Sequence, residues 1–285
     1  MRLASTHDAR LHAVLGDRSV DLTDALGLRP GPGGPLLAFL EHGGSIAELQ
    51  ALDLDAWPSQ PLDPRRLAAP IARPGKVVGA PVNYRDHQVE MHEQRTIADY
   101  GVFLKASSSV IGPGEHIRLP YRDVRTDHEG ELGVVIGRTA RCVPPEHALD
   151  HVFGYTPVLD VTVRSGEDRS TRKSFDTFTP LGPWVTTADE VPDPGALELR
   201  CWVDDELRQH ASTADLLYDV AELIAYTSHV MTLHPGDVIA TGTPAGVGPI
   251  AAGQRVAVEI AGLGRLEVGV TDEGAIAYAD RPGPR

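Results

Sequence analysis

The sequence is poor in aromatic residues, has little cysteine and is short of positive charge. Only 5% of its 285 residues are aromatic, and 26 Lys and Arg stand against 40 Asp and Glu, which gives a net charge of −14. Nucleic-acid binding depends on a basic surface, so we expect no nucleic-acid partner. Two cysteines are too few for a disulfide framework or a four-thiolate zinc site.

Long apolar runs are also missing. No stretch of about 18 apolar residues occurs, so we expect no membrane-spanning helix and no membrane partner. The first ten residues lack the apolar core of a signal peptide. Together with the low cysteine content, this predicts a cytoplasmic protein.

Turn-forming residues are abundant, with 29 glycines and 23 prolines. Strand patterns dominate from residue 76 onward, and one amphipathic helix is predicted within 213–231. Asp219 followed by Glu222 resembles a capping pair, so the regular helix is expected to begin there. The pattern is typical of an α+β, β-rich protein.

Composition changes between residues 65 and 75, after a proline-rich segment. Residues 1–70 are therefore predicted to form a small N-terminal α/β domain of short strands, with a Pro/Gly-rich joint over 29–35 and a helix over 36–52. Residues 71–285 are predicted to form the catalytic domain, since every cluster of chemically active side chains lies there.

Carboxylates within apolar strands are the most informative feature. Glu129 and Glu131 share one face of a predicted strand, and Asp160 interrupts another apolar strand. Neighbouring carboxylates repel one another, and a divalent cation resolves the repulsion. If the two strands are neighbours, the three acids form a cage for one Mg²⁺ or Mn²⁺ per chain. The alternative is that the glutamates are solvated at a sheet edge.

Four further residues are candidates for chemistry. Arg164 shares the face of Asp160, where it either meets an anionic substrate group or forms a salt bridge to one of the acids. His87 and Glu90 have the spacing of a base and the acid that orients it on a helical turn, although such a pair is often structural. Lys173 lies between an arginine and an aromatic segment, and either stabilises an enolate or carboxylate or simply packs there.

A tight loop of glycine and threonine over 240–248 follows a predicted strand. It lacks the Gly-Lys-Ser/Thr ending of a phosphate-binding loop and is not followed by a helical pattern, so it is not a dinucleotide fingerprint. Its hydroxyls and amides either bind a carboxylate or only connect two strands.

Read together and in order, these segments resemble the fumarylacetoacetate hydrolase superfamily, in its branch of acylpyruvate hydrolases and 2-hydroxyhepta-2,4-diene-1,7-dioate isomerases. The resemblance covers about residues 75–270. It is carried by Asn83-Tyr84-x-x-His87, Phe103-Leu104-Lys105, Glu129-x-Glu131-Leu132, Gly154-Tyr155 with Asp160-Val161-Thr162-x-Arg164, Lys173-Ser174-Phe175 and Pro235-Gly236-Asp237-Val238-Ile239-x-Thr241-Gly242-Thr243-Pro244. It implies a mixed β-sandwich roll, a homodimer and one bound Mg²⁺ or Mn²⁺.

The resemblance also implies a role for each candidate residue. The implied roles are metal binding for Glu129, Glu131 and Asp160, water activation for His87 with Glu90, enolate stabilisation for Lys173, and substrate binding for Arg164, Thr243 and Tyr84. A segment over about 87–101 is expected to act as a lid.

The reaction that these roles predict is hydrolysis of a carbon–carbon bond in a 2,4-dioxo acid, an acylpyruvate, through an enolate whose charge the metal and Lys173 neutralise. One departure leaves the reaction type open: many acylpyruvate-cleaving relatives carry Arg-Asp-x-Gln after the metal aspartate, where this chain reads Arg-Ser-Gly-Glu-Asp-Arg over 164–169. The alternatives are a decarboxylase or keto–enol isomerase acting on a 2-oxo or 2-hydroxydienoic diacid, and a non-catalytic metal-binding protein. In each enzymatic case the partner is a small anionic 2-oxo acid.

Overall fold

The computed structural model describes residues 1–29 and 31–283. Pro30, in the predicted joint, and residues 284–285, at the end of the predicted catalytic domain, lie outside the described residues. The α-helices of the described chain are α1 (Pro35–Glu41), α2 (Ile46–Gln50), α3 (Arg85–Glu90), α4 (Ile97–Tyr100), α5 (Pro145–Ala148), α6 (Arg169–Lys173) and α7 (Val220–Val230). The β-strands are β1 (Arg2–Ser5), β2 (Leu11–Leu15), β3 (Arg18–Asp21), β4 (Ser59–Pro61), β5 (Val77–Gly79), β6 (Phe103–Lys105), β7 (Val110–Ile111), β8 (His116–Arg118), β9 (Thr126–His128), β10 (Gly130–Ile136), β11 (Val152–Leu159), β12 (Thr162–Val163), β13 (Thr179–Pro180), β14 (Val185–Thr187), β15 (Glu198–Val203), β16 (Glu206–Ser212), β17 (Val238–Ala240), β18 (Gly248–Pro249), β19 (Arg255–Ile260) and β20 (Gly264–Thr271).

The strands form two large sheets and two small ones within these residues. The largest has ten strands in the order β4-β3-β2-β1-β14-β11-β10-β17-β5-β6, and it mixes antiparallel pairs with the parallel pair β17 and β5. A second sheet has five strands in the order β16-β15-β19-β20-β8. The small sheets are β12-β9-β18 and β13-β7. The protein is thus β-rich with mixed sheets, as the sequence predicts.

The first 61 residues extend the largest sheet. Strand β1 pairs with β14 in antiparallel register, with Leu3 opposite Val185. Leu3 and Leu11 also belong to the same buried cluster as Phe153 and Val185. The division of the chain at residue 70 therefore stays a prediction, because the two parts share a sheet and a core.

The single helix predicted over 36–52 is wrong, because it is interrupted after Glu41. The interrupting turn contains Gly43, whose φ of 82° is in the left-handed region. A Cβ atom at Gly44 would lie 2.4 Å from the ring of Phe39, so the turn also requires glycine at that position. Two short helices, α1 and α2, result.

Helix α7 begins where the capping pair predicts. The Asp219 side chain accepts a hydrogen bond from the Glu222 N–H, and the Glu222 side chain accepts one from the Asp219 N–H. None of the helices in the described part of the chain has the length and apolar character needed to span a bilayer. Both cysteines are free thiols, with Cys142 exposed and Cys201 buried.

The strands that carry the predicted metal ligands are central and fully buried. Strand β10 pairs with β11 in antiparallel register, with Gly130 opposite Leu159. Every residue of both strands is buried, and their apolar side chains contribute to the main core. The residues just before β10 and just after β11, Glu129 and Asp160, therefore lie side by side on a rigid support.

Candidate active site

Three carboxylates converge at the junction of β10 and β11. The Asp160 N–H donates to the carbonyl oxygen of Glu129 at 2.8 Å, which extends the ladder by one residue. Glu129, Glu131 and Asp160 each offer a carboxylate oxygen, these atoms all lie within 4.8 Å of one another, and all three residues are buried. The structure thus brings the predicted ligand set together.

The donor set fits a hard divalent cation. Burial, together with the charges of Asp160 and Glu129, raises the pKa of Glu131 well above its ordinary value. The Glu131 Oε2 atom accepts one hydrogen bond, from the Gly242 N–H at 2.8 Å. Buried oxygen ligands of this kind suit Mg²⁺ or Mn²⁺. The residues that would hold such an ion are Glu129, Glu131 and Asp160.

Lys173 lies among these acids. Its ammonium donates to Glu129 Oε2 at 2.7 Å, to Asp160 Oδ2 at 2.5 Å and to the hydroxyl of Thr162 at 2.7 Å. Burial favours the neutral amine, but the charges of Asp160 and Glu129 outweigh it and raise the pKa of Lys173. The site therefore keeps a fixed positive charge beside the carboxylates.

A second lysine, Lys105, supports Asp160 from the other side, and the sequence reading assigns it no role. Its ammonium donates to Asp160 Oδ1 at 2.6 Å and to the Phe178 carbonyl at 2.8 Å, and it is fully buried. Burial lowers the pKa of Lys105, an effect that the charge of Asp160 only partly offsets. The sequence signal that could have identified Lys105 is its position at the end of an apolar strand. A charged side chain that is buried there needs a partner.

His87 and Glu90 form a hydrogen-bonded pair on helix α3. The His87 Nδ1 atom lies 2.8 Å from Glu90 Oε2, and His87 is 6% exposed. With Glu90 ionised, Nδ1 donates, so the neutral ring carries its lone pair on Nε2. The second oxygen of Glu90 accepts the Gly246 N–H at 2.9 Å, which ties helix α3 to the loop after β17.

A cavity of about 220 Å³ joins these groups. Of the predicted residues, those that line it are His87, Glu129, Glu131, Asp160, Arg164, Lys173 and Thr243. Glu90 does not line the cavity and is hydrogen-bonded to His87. The cavity is also lined by Met91 and Glu93 of the predicted lid, and by Phe103, Arg169 and Arg172, for which the sequence predicts no role.

Tyr84, for which the resemblance implies substrate binding, lies outside the cavity lining. Its side chain is completely buried, and it is absent from the residues that line the cavity. Tyr84 forms an isolated β-bridge with Leu216 and stands at the N-cap of helix α3. Its hydroxyl is buried without a hydrogen-bond partner among residues 1–29 and 31–283, and its role in substrate binding stays a prediction.

Arg164 reaches the cavity but already has carboxylate partners. Its Nε atom donates to Asp127 at 2.7 Å, and its Nη2 atom donates to Glu129 Oε1 at 2.8 Å. The charges of Glu129 and Asp127 raise the pKa of Arg164 despite its burial, and the charges of Lys173 and Arg164 lower the pKa of Glu129 despite its burial. Its role as a substrate ligand stays a prediction.

The hydroxyl of Thr243 is held in place by a glutamine that the sequence reading missed. Thr243 Oγ1 donates to the Gly130 carbonyl at 2.9 Å and accepts from Gln209 Nε2 at 2.7 Å. Gln209 also donates to the Pro244 carbonyl and accepts the Gly130 N–H, both at 2.8 Å. The proton of the Thr243 hydroxyl is donated to the Gly130 carbonyl. The predicted contact of Thr243 with substrate stays a prediction.

Comparison with known sequences connects this geometry to a family. The family model described as fumarylacetoacetate (FAA) hydrolase C-terminal matches residues 76–271. Maleylpyruvate hydrolase of Aquipseudomonas alcaligenes is 42% identical over 287 residues, a match that covers 95% of this chain and 99% of that protein.

Solved structures are similar over almost the whole chain. Maleylpyruvate hydrolase from Sphingobium sp. SYK-6, in complex with manganese(II) ion and pyruvate, is 39% identical with a TM-score of 0.84, covering 95% of this chain and 99% of that one. The 5-carboxymethyl-2-hydroxymuconate delta-isomerase from Mycobacterium smegmatis is 33% identical with a TM-score of 0.74, at the same coverage of both chains.

Proposed function

The chain belongs to the fumarylacetoacetate hydrolase family, and from that premise we propose that it is a divalent-metal-dependent hydrolase that cleaves a carbon–carbon bond in an acylpyruvate. Maleylpyruvate, named by two of the similar proteins, is the substrate that we propose to test first. With water it gives maleate and pyruvate.

One observation carries this proposal: a base, a buried carboxylate triad and a buried ammonium line the same small cavity. Hydrolysis of a 2,4-dioxo acid needs a base that activates water, groups that bind the 2-oxo acid end, and positive charge where the enolate forms. The similarity to two maleylpyruvate hydrolases over 95% of the chain supports the same assignment.

His87 is the base in this proposal. With Nδ1 bonded to Glu90 at 2.8 Å, its Nε2 lone pair takes a proton from water. That water attacks C4 of the substrate, the carbonyl farther from the carboxylate of the 2-oxo acid end. Glu90 fixes the tautomer and stabilises the imidazolium that forms. The bond between C3 and C4 of the substrate then breaks, which releases the new carboxylic acid and the enolate of pyruvate, and His87 returns its proton to C3 of that enolate to give the ketone.

Lys173 supplies positive charge next to the departing pyruvate half. Its ammonium is buried and held by three acceptors, so little reorganisation is needed as negative charge develops. A divalent cation held by Glu129, Glu131 and Asp160 polarises the 2-oxo acid end when it is bound.

The test is incubation of the purified protein with maleylpyruvate and Mn²⁺, with product analysis by NMR. We expect equal amounts of pyruvate and maleate, complete loss of turnover after EDTA, and recovery on adding Mn²⁺ or Mg²⁺. A protein that releases no pyruvate from maleylpyruvate, fumarylpyruvate or acetylpyruvate with either metal would overturn the proposal.

A second candidate is decarboxylation or keto–enol isomerisation on the same site. It is favoured by the structural similarity to the Mycobacterium smegmatis isomerase. No water attacks in that reaction, so a His87→Asn variant would retain enolisation, seen as a change in enol absorbance. Release of CO₂, or isomerisation without pyruvate, would support this candidate over hydrolysis.

We further propose a homodimer in the cytoplasm, with residues 1–70 as a structural extension of the catalytic domain. The family resemblance supports the dimer, and the two free thiols fit a reducing compartment. Size-exclusion chromatography with light scattering measures the mass in solution. For a dimer we expect twice the chain mass of 30.5 kDa. Cell fractionation tests the location.

A further inference from the structure

One charged side chain of the cavity wall has no carboxylate partner among the described residues. The guanidinium of Arg172 lines the cavity and is half-buried, and its buried Nε atom has no hydrogen-bond partner within that part of the chain. Over residues 1–29 and 31–283, no carboxylate forms an ion pair with Arg172. A buried donor without an acceptor is costly, so an arginine kept in this state calls for an explanation.

The other cations of the site differ from Arg172. Arg164, Lys173 and Lys105 each donate to at least one carboxylate of the site or of its surroundings. Arg169, which also lines the cavity, has its guanidinium carbon 3.9 Å from the ring centre of Tyr100 in the predicted lid. Arg172 thus lies outside the hydrogen-bonded network around the triad, and Arg169 places a second guanidinium on the same wall.

Burial and the nearby charges of Arg164 and Arg169 lower the pKa of Arg172 below its ordinary value. Positive groups that repel one another at the same wall favour binding of an anion there. A guanidinium matches a carboxylate with two parallel hydrogen bonds, so a carboxylate is the anion best suited to it.

We propose that Arg172, with Arg169 beside it, forms a second anion subsite that binds the distal carboxylate of a dicarboxylic acylpyruvate. This inference rests on the proposed function, in which the triad and Lys173 act on the 2-oxo acid end. The subsite makes Arg172 a specificity-determining residue: the enzyme prefers acylpyruvates that end in a carboxylate over those that end in a methyl group.

The kinetic test compares maleylpyruvate with acetylpyruvate, which has the same 2-oxo acid end and no distal carboxylate. For Arg172→Gln we expect kcat/KM on maleylpyruvate to fall about 100-fold, as for loss of a charge-assisted hydrogen bond, and kcat/KM on acetylpyruvate to change less than about threefold. Arg172→Lys should recover part of the loss. Arg141→Gln, at an exposed arginine away from the cavity, is the matched control. An equal loss on both substrates would overturn the inference.

A binding test separates this inference from the proposed function. Maleate, which carries the distal carboxylate, is titrated calorimetrically into EDTA-treated protein. We expect measurable binding to wild type that is weakened at least about tenfold in Arg172→Gln, with the Mn²⁺ affinity and the melting temperature of the variant unchanged. If wild type cleaves no acylpyruvate but this difference appears, the subsite stands and the proposed reaction fails. Equal maleate binding by both proteins overturns the subsite.

Discussion

The Nδ1 atom of His87 lies 2.8 Å from the Oε2 atom of Glu90, three residues further along helix α3. The other carboxylate oxygen of Glu90 accepts the Gly246 N–H at 2.9 Å. Glu90 therefore orients the His87 ring and also ties helix α3 to the loop that carries Thr243. In the proposed mechanism, one side chain thus orients the base and anchors the helix that carries it.

Glu90→Gln should lower kcat about 100-fold, because the amide neither stabilises the imidazolium nor fixes the tautomer as a carboxylate does. KM should change little, since Glu90 does not line the cavity. Steady-state kinetics across pH 5–9 measure both effects, with Glu48→Gln on the exposed side of helix α2 as the control. A variant with wild-type kcat throughout would remove Glu90 from the mechanism.

Glu131→Gln and Asp160→Asn should each weaken Mn²⁺ binding at least about 100-fold, since even changes to residues behind metal ligands cost 10- to 100-fold. Calorimetric titration of Mn²⁺ into EDTA-stripped protein gives the dissociation constants. Glu146→Gln, at an exposed position, should bind Mn²⁺ as wild type does. Unchanged affinity in either ligand variant would mean that the ion binds elsewhere.

Gln209→Ala should destabilise the fold by about 2–4 kcal/mol. The amide makes three buried hydrogen bonds, and its removal leaves the Gly130 N–H without an acceptor and the Pro244 carbonyl without this donor. Urea denaturation measures the loss, with the exposed Gln60→Ala as the control, which should stay within about 0.5 kcal/mol. Wild-type stability in Gln209→Ala would show that the loop is held by other contacts.

Two buried histidines should make the fold sensitive to acid. Burial lowers the pKa of His12 and of His128 below the ordinary value of 6.5. As pH falls below about 6.5 the unfolded chain takes up protons that the folded chain does not, so stability is present above that pH and lost below it. Each group adds up to about 1.4 kcal/mol per pH unit to the slope.

Unfolding free energies measured between pH 7 and pH 5 should show this slope, and His12→Gln should reduce it. His147, whose side chain is 67% exposed, provides the control variant His147→Gln. A slope that is the same in wild type and His12→Gln would exclude this histidine as the source.

Local signals account for what the sequence predicts well. Alternation identifies strand β10, which begins just after Glu129, and strand β11, which ends just before Asp160, and the Asp219 cap identifies the start of helix α7. The meeting of the three carboxylates needs only that β10 and β11 be neighbours, which is the common arrangement for sequential strands.

Contacts between distant segments account for what the sequence does not predict. Lys105 donates a hydrogen bond to Asp160, which is 55 residues away in the sequence, and Gln209 donates one to Thr243, which is 34 residues away. Arg172 is informative only because no carboxylate in the described part of the chain is near enough to pair with it, a property of three-dimensional position that no spacing reveals. Likewise, the pairing of β1 with β14 joins chain segments that the composition separates.

Whether water attacks the substrate carbonyl can be decided by turnover of maleylpyruvate in H₂¹⁸O with Mn²⁺, followed by mass spectrometry of the maleate formed in the first turnovers. We expect one ¹⁸O atom in the new carboxylate of maleate for each pyruvate released, because water activated by His87 attacks that carbonyl. Release of CO₂ without maleate, or maleate that carries no ¹⁸O, would contradict this expectation.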